Sequence, residues 1–367
     1  MATLTQASQQ WSSRPDDQRF TSLNEMFNRM KKVREHSKAK VISNRRIGIE
    51  PLGEDHKGLI AVVGDSEVYA PTNHSFGQLA QLAGAPGGYL RSLPSEIAAD
   101  ALNYGLRFNR EIGDVGTLLH DSDAGVGTLR AATGPNYGRI WNSDIVKSLI
   151  DNVGDGVTGS WRVPGEFGKR VEVTKANTTL FSSDRDMYVF LADEEHRIVM
   201  PNRRDGKSGG LARGFFVWNS EVGDKTFGIA TFLFDYVCCN RIVWGAEGFK
   251  EIKIRHTSSA PDKWLAEVKP ALVAYANSTE DTVLDAVKAA QKAKVDEIDE
   301  FLNKRFGLNK NKVAAVKLVH ESEEGRPMET LWDIATGITA YAKQVPHQDE
   351  RVDMERLGGY ALTLATA

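Results

Sequence analysis

The spacing of apolar residues predicts a helix near the N-terminus and a buried strand after it. Leu23, Met26, Phe27 and Met30 recur at helical intervals, and the polar residues 1–20 before them predict a mobile or late-docking arm. An uninterrupted apolar run at 59–63, with glycine on both sides, predicts a buried strand. Further helices are expected over residues 73–83, 94–102 and 142–150.

The middle of the chain has the patterns of strands. Residues 117–119 and 128–131 are separated by a polar segment that contains glycine, which is typical of a β-hairpin. Additional strands are predicted at 170–174, 178–181, 187–191, 214–218 and 226–237.

From residue 261 onward the pattern becomes helical. Ser278 and Asp281 have capping-box spacing, and the apolar stripe after them predicts one long helix to about Leu302. Three more helices are expected at 313–319, 328–342 and 351–364. The sequence thus predicts an α+β protein with a strand-rich central domain, flanked by an N-terminal basic helix and a C-terminal helical region. The predicted parts are an arm and basic helix at 1–50, an α+β core domain at 51–260 and the helical region at 261–367.

Composition and charge exclude several classes of protein. The formal net charge of −3 is incompatible with a uniformly basic coat, so any nucleic-acid contact requires a local patch. Two cysteines are too few for a disulfide scaffold or a zinc site made of thiolates. There is no apolar stretch of about 18 residues, and residues 1–17 are polar. We therefore expect neither a membrane span nor a secretory signal, and a cytoplasmic location.

Three segments concentrate basic residues in this weakly acidic chain. Residues 26–46 contain eight lysines and arginines and one acid, Glu35. Residues 197–213 contain five lysines and arginines and one acidic residue. Residues 303–317 contain five lysines and arginines and no acidic residue. Clustered lysine and arginine bind phosphate backbones, and aromatic rings stack on bases. The alternative is that each run is a solvated surface. Aromatic candidates for stacking are Tyr137, Trp141, Trp161 and Tyr188.

Catalytic motifs are sparse. The eight histidines form no H-x-x-x-H pair, and neither a P-loop nor a nucleophile elbow occurs, so we expect no metal and no cofactor. One enzyme-like pattern remains, in which Asp235 is followed by Glu251 and Lys253. Many metal-dependent nucleases use such a layout, with carboxylates on Mg²⁺ and the amine facing a phosphate. The alternative is an exposed strand of alternating charge. The adjacent Cys238 and Cys239 end an apolar strand and are expected to pack in the core.

Several sequence blocks occur in an order that resembles a known family. They are residues 87–94 (GGYLRSLP), 129–131 with 137–142, 218–223 (WNSEVG), 237–243 with 254–256, and 330–342 with 351–359. Together they resemble a phage- and plasmid-borne family known as domain of unknown function 932. The resemblance covers roughly residues 75–365.

The resemblance implies a protein of a bacterial or phage mobile element. Relatives accompany genes for DNA replication, recombination and anti-restriction, which favours a role on DNA in the bacterial host cytoplasm. We expect non-enzymatic binding or annealing of single-stranded DNA by a homo-oligomer. Two alternatives stay open: a Mg²⁺-dependent nuclease that uses the three residues named above, and a protein-binding anti-defence factor that uses the acidic segment 280–300.

Candidate nucleic-acid-binding residues come from the basic segments and from the family-like blocks. They are Lys31, Lys32, Arg34, Arg45, Arg46, Arg130, Tyr137, Arg139, Arg203, Arg204, Lys207, Arg213, Arg255 and His256. The block at 219–223 has two interpretations. One is a turn with Gly223 at positive φ, and the other is a buried ion pair of Glu221 with Arg130 or Arg255.

Overall fold

The computed structural model describes residues 14–52, 58–109, 113–122, 125–164, 172–196, 198–200, 209–235, 240–242, 252–276, 281–345 and 348–366. These ranges form two β-sheets and a set of helices, so the predicted α+β class is confirmed. The strands are β1 (Arg19–Phe20), β2 (Ser37–Ser43), β3 (Ile47–Leu52), β4 (Gly58–Val63), β5 (Glu67–Pro71), β6 (Asp114–Ser122), β7 (Gly125–Thr133), β8 (Trp161–Arg162), β9 (Leu180–Ser182), β10 (Met187–Asp193), β11 (Ile198–Met200), β12 (Gly209–Asn219), β13 (Phe227–Asp235), β14 (Asn240–Ile242) and β15 (Ile252–Ile254).

The helices lie between the strands in the first half of the chain and follow them in the second. They are α1 (Leu23–Glu35), α2 (Asn73–Leu82), α3 (Gly87–Leu90), α4 (Ser95–Phe108), α5 (Asn142–Val153), α6 (Ala260–Lys263), α7 (Lys269–Ala276), α8 (Asp281–Lys292), α9 (Ile298–Phe306), α10 (Lys310–Glu324), α11 (Leu331–Ala342) and α12 (Gln348–Thr366). A π-helical turn, Trp264–Val268, joins α6 to α7. Among the residues described, no helix combines the length and apolar character needed to cross a bilayer.

The first sheet has six strands in the order β2-β6-β7-β5-β4-β3. β5 and β7 are parallel, and the other neighbours are antiparallel. β6 and β7 form the predicted hairpin, in which Ser122 pairs with Gly125. Leu79 of α2 and Leu102 of α4 are buried against apolar residues of this sheet. The predicted boundary between the N-terminal part and the core domain, at residue 50, lies inside β3. The six-stranded sheet already includes β2, which begins at Ser37.

The second sheet has nine strands, and helices cover one of its faces. Its main order is β1-β9-β10-β12-β13-β14, with β8, β11 and β15 paired to β10, β12 and β13. Phe215 and Val217 of β12 pack with α1, α5 and α7. Leu211 lies four residues earlier on the same face and packs with the C-terminal helices. The opposite face carries a cluster of rings that includes Phe190, Phe216, Trp218 and Phe232.

Capping side chains explain where several helices begin. Ser22 accepts a hydrogen bond from the Glu25 backbone N–H at the start of α1, and Thr72 does the same for Ser75 at the start of α2. Thr330 begins α11 with a reciprocal capping box. Each contact satisfies an N–H group that the helix itself leaves without a partner.

The single helix predicted from 278 to 302 is wrong, because the structure contains α8 and α9 with a break between them. In the break, the Val295 N–H donates to Glu329 O at 2.9 Å, and the Leu331 N–H donates to Ala293 O at 2.9 Å. Glu297 follows with φ of 42°. The segment thus pairs with the chain before α11, which ends the helix although the apolar stripe continues.

The N-terminal arm is docked from residue 14 onward. Arg14 forms a buried ion pair with Asp186, with 2.7 Å between Nη2 and Oδ1, and β1 pairs with β9. Residues 1–13 lie outside the described residues, as do Cys238 and Cys239. Of the strand predicted at 170–174, residues 172–174 are not in a strand and 170–171 are outside the described ranges.

Candidate functional site

The loop that joins β12 to β13 contains a tight polar turn. Ser220 Oγ accepts hydrogen bonds from the backbone N–H groups of Val222 (3.2 Å) and Asp224 (3.0 Å). Gly223 has φ of +86°, a conformation that other residues rarely adopt. The predicted turn is therefore confirmed, and we call residues 219–224 the junction loop.

The junction loop also carries a buried ion pair. Arg130 Nη2 lies 3.0 Å from Glu221 Oε2, and both side chains are more than nine-tenths buried. Glu221 Oε1 accepts a second hydrogen bond, from the backbone N–H of Asn142 at 2.9 Å. The predicted pair of Glu221 with a buried arginine is thus confirmed for Arg130, whereas Arg255 is exposed. The two interpretations of this block hold together, since the turn positions the carboxylate.

Side chains from the first half of the chain hold the carbonyl groups of the junction loop. The carbonyls of residues 220–222 accept, in order, from Tyr137 Oη (2.8 Å), Arg139 Nε (2.7 Å) and Gln78 Nε2 (2.7 Å). Burial lowers the pKa of the Arg139 guanidinium and raises the pKa of the Tyr137 phenol. The loop of the nine-stranded sheet is therefore fixed against elements that adjoin the six-stranded sheet.

A half-buried histidine belongs to the same cluster. His256 Nδ1 lies 2.9 Å from Gly138 O, and its ring stacks on Tyr137 with 4.8 Å between centroids. Burial lowers the pKa of His256, so the neutral ring donates from Nδ1 to the carbonyl. A Cβ at Gly138 would lie 1.8 Å from Thr257 O, so only glycine permits this close approach.

A cleft of about 300 Å³ adjoins the Arg130–Glu221 pair. Its polar lining comes from α1, the β6–β7 hairpin, the segments before α1 and α2, the start of α5, the end of β9 with the turn after it, and the junction loop. These side chains are Asp17, Gln18, Arg29, Thr72, His120, Thr128, Arg130, Asn142, Ser182, Ser183, Asp184 and Glu221. Both charge signs and several hydroxyl groups are present, so the cleft suits a ligand with donors and acceptors.

Electrostatics in the cleft centre on Arg130. Its Nη1 is buried and has no hydrogen-bond partner among the described residues. Burial lowers the pKa of His120, and the positive charge of Arg130 lowers it further. His120 is therefore neutral near pH 7 and offers a ring nitrogen rather than a charge. Arg29 is exposed beside the cleft.

A family model described as Domain of unknown function (DUF932) matches residues 172–364, which is more than half of the chain. The chain belongs to this family. No curated protein and no solved structure matches the chain. The DUF932 match includes Glu221 and His256 but begins after Arg130, Tyr137 and Arg139. The cluster thus joins residues of the matched DUF932 part to residues that precede it.

The basic segment 26–46 of this DUF932 protein is largely neutralised by neighbouring carboxylates. Its ion pairs are Lys31–Glu35 (3.8 Å), Arg34–Asp144, Lys38–Asp121 (2.6 Å), Lys40–Glu67 (2.6 Å) and Arg46–Asp65 (2.6 Å). Arg29, Lys32 and Arg45 are exposed and form no ion pair within the described ranges. The segment therefore offers fewer available cations than its composition indicates.

The structure places other candidates in the core. Arg213 lies 3.0 Å from Asp193 Oδ2 and is 3% exposed, so the prediction that it contacts a phosphate backbone is wrong for this conformation. Trp161 and Tyr188 are also buried, which removes them as stacking platforms. Trp141 lies under the guanidinium groups of Arg34 and Arg139. Arg203, Arg204 and Lys207 lie outside the described residues.

The structure does not bring the nuclease-like residues together. Lys253 pairs with Gly228 at one end of β13, whereas Asp235 lies seven residues further along that strand. At about 3.3 Å per residue, their backbones are about 23 Å apart, which is too far for one metal centre. Glu251 lies outside the described residues. Within the described ranges, no group of three metal-ligating side chains occurs.

Sequence reasoning missed several lining residues. His120 and Thr128 are direct partners in the hairpin register. The hairpin itself was predictable, but its position beside α1 depends on contacts distant in the sequence. Asn142 belongs to the family-like block 137–142, but its contact with Glu221 is made by its backbone N–H, which the type of side chain does not reveal.

Proposed function

We propose that this chain is a non-enzymatic protein that binds single-stranded DNA. The observation that carries the proposal is the cleft beside Arg130, with Arg29 next to it and Lys32 one helical turn further along α1. Pockets of about 300 Å³ accept small ligands such as one base with its sugar. The mobile-element setting implied by the resemblance is part of this proposal.

The character of the cleft favours single strands. A base inside a duplex is paired and stacked and cannot enter a pocket without being extruded, whereas a base of a single strand can. The hydroxyl group of Thr128 and the Nη1 atom of Arg130 supply donors for the edge of a base. Glu221 and Asp184 supply acceptors.

The backbone of the strand would follow α1. Arg29 and Lys32 are three residues apart and lie on neighbouring positions of the helix surface. Both are exposed and, within the described residues, neither is engaged in an ion pair. Cations of this kind contact phosphates without reading sequence, as a general annealing or protecting protein requires.

Fluorescence anisotropy with a labelled 30-mer and its duplex tests the proposal. We expect the wild-type protein to bind the single strand at least tenfold more tightly, and Arg29→Glu with Lys32→Glu to weaken that binding at least tenfold. Lys263→Glu, which changes an exposed lysine of α6 away from the cleft lining, is the matched control and should stay within about twofold. Equal affinity for both DNA forms, or no binding, would contradict the proposal.

A further inference from the structure

A second, larger cavity shares Thr72 with the cleft. Its volume is about 560 Å³. It lies at the starts of α2 and α4, and its lining includes residues 91–94, the second half of the GGYLRSLP block, which the proposed function does not use. Its apolar lining includes Leu59 and Leu93.

Arg91 is held in one orientation beside this cavity. Its Nε and Nη2 donate to Asn73 Oδ1 at 3.0 and 2.7 Å, and Nη2 also donates to Asn73 O at 2.9 Å. The guanidinium lies over the ring of Phe76, 4.7 Å from its centroid. These contacts fix the group before any ligand arrives, which reduces the entropy lost on binding.

The charge of Arg91 is not compensated by a carboxylate. Its hydrogen-bond partner is the neutral Asn73, and no aspartate or glutamate lines the cavity among the described residues. Arg34, Arg46 and Arg130 differ, because each is paired with an acid. The Nη1 atom of Arg91 makes no hydrogen bond within the described ranges and remains available to a ligand.

We propose that this cavity binds a phosphate monoester of nucleotide size. The guanidinium would hold the phosphate, and the positive ends of α2 and α4 add to the same potential. A free phosphate ion would leave most of the cavity empty, whereas a nucleotide places its base against the apolar lining. The ligand is either a free nucleotide or the phosphorylated 5′ end of a strand. The inference does not rest on the DNA cleft.

Isothermal titration calorimetry with thymidine 5′-monophosphate, thymidine and inorganic phosphate tests this site. We expect the monophosphate to bind at least tenfold more tightly than either of the others. Arg91→Gln should weaken that binding at least tenfold. Arg107→Gln changes an exposed arginine in the last turn of α4 and is the matched control, expected to leave the affinity unchanged.

Asn73→Asp is a second variant that nearly preserves shape. It places a carboxylate on the Arg91 guanidinium, so we expect the monophosphate affinity to fall at least tenfold while the protein stays folded. Monophosphate affinity unchanged in both variants, equal binding of nucleoside and monophosphate, or no binding by the wild-type protein would overturn the proposal.

Oligonucleotides identify the source of the phosphate and separate this site from the cleft. A 5′-phosphorylated strand that loses affinity in Arg91→Gln identifies a strand end, and an effect confined to the free monophosphate identifies a nucleotide. Both outcomes support the site. A 5′-hydroxyl strand should bind Arg91→Gln as it binds the wild-type protein, so failure of the cleft proposal would be visible separately.

Discussion

At the scale of single residues, Glu221 connects the two sheets, and no single block of the sequence indicates this connection. Its carboxylate holds Arg130 of β7 and the first backbone N–H of α5, while its own carbonyl holds Arg139. The backbone turn is fixed by Ser220 and Gly223. One residue thus combines local turn chemistry with contacts to three residues that are distant in the sequence.

Glu221→Gln should therefore be strongly destabilising. It removes the negative charge and leaves Arg130 buried without compensation, for which we expect a loss of about 3 kcal/mol in the free energy of unfolding. Glu67→Gln breaks the half-exposed Lys40–Glu67 pair and should cost less than about 1 kcal/mol. Urea unfolding of both variants measures the difference. Similar losses of unfolding free energy in the two variants would show that the buried Arg130–Glu221 pair stabilises the protein no more than a half-exposed pair does.

Three histidines make stability depend on pH. Burial lowers the pKa of His120, His256 and His320 in the folded protein below the ordinary value of 6.5. The unfolded chain then binds more protons than the folded one as the pH falls through 6.5. The stability that these neutral rings contribute is complete above pH 6.5 and is lost progressively below it.

His320 is the most informative of the three. It is 1% exposed, and neither ring nitrogen has a hydrogen-bond partner among the described residues. Denaturant unfolding at pH 7.5, 6.5 and 5.5 should show decreasing stability for the wild-type protein and a smaller decrease for His320→Leu. A steeper decrease in the variant, or a wild-type protein that is more stable at pH 5.5 than at 7.5, would contradict this account.

At the scale of elements, local sequence patterns predicted the helices and hairpins that are determined by residues close together in the sequence. The β6–β7 hairpin follows from its turn residues, and α11 follows from its capping chemistry and apolar face. The break between α8 and α9 could not be predicted, because it depends on pairing of Val295 with Glu329. The same limit explains why Arg213 was taken for a surface residue, since its partner Asp193 lies on a neighbouring strand.

The break between α8 and α9 predicts a stabilising substitution. Glu297 has φ of 42° and ψ of 56°, a left-handed conformation that disfavours residues with a Cβ. Glu297→Gly should therefore raise the free energy of unfolding by about 0.5–1 kcal/mol. The neighbouring Asp296 does not have positive φ, so Asp296→Gly should be neutral or destabilising. Thermal unfolding measures the stability of the two variants. A Glu297→Gly variant less stable than the wild-type protein would refute the left-handed conformation of Glu297.

At the scale of the whole molecule, annealing or protection of a long strand would require assembly of several chains. A single chain with one cleft holds too few nucleotides to anneal or protect a long strand, so we expect a homo-oligomer that is formed or completed on DNA. The tail helices or the N-terminal arm are the expected contact regions. Light scattering with and without a 60-nucleotide strand measures this. A strict monomer in both conditions would exclude annealing but leave simple DNA binding intact.

At this scale the charge distribution also bears on whether the basic segments are phosphate-binding surfaces or solvated surfaces. Carboxylates neutralise most of residues 26–46, which agrees with the net charge of −3 and shows why counting lysines and arginines overstates a binding surface. The family-like blocks were better guides to the site, because they bring Arg130, Tyr137 and His256 to one place.

The salt dependence of single-strand binding tests the central claim most directly. If Arg29 and Lys32 neutralise phosphates, a plot of the logarithm of the association constant against the logarithm of salt concentration is linear. Each phosphate contact contributes about −0.7 to its slope. We expect Arg29→Glu with Lys32→Glu to reduce that slope by about 1.4, and Lys263→Glu to leave it unchanged. An association constant independent of salt, or a double variant with the wild-type slope, would contradict the account.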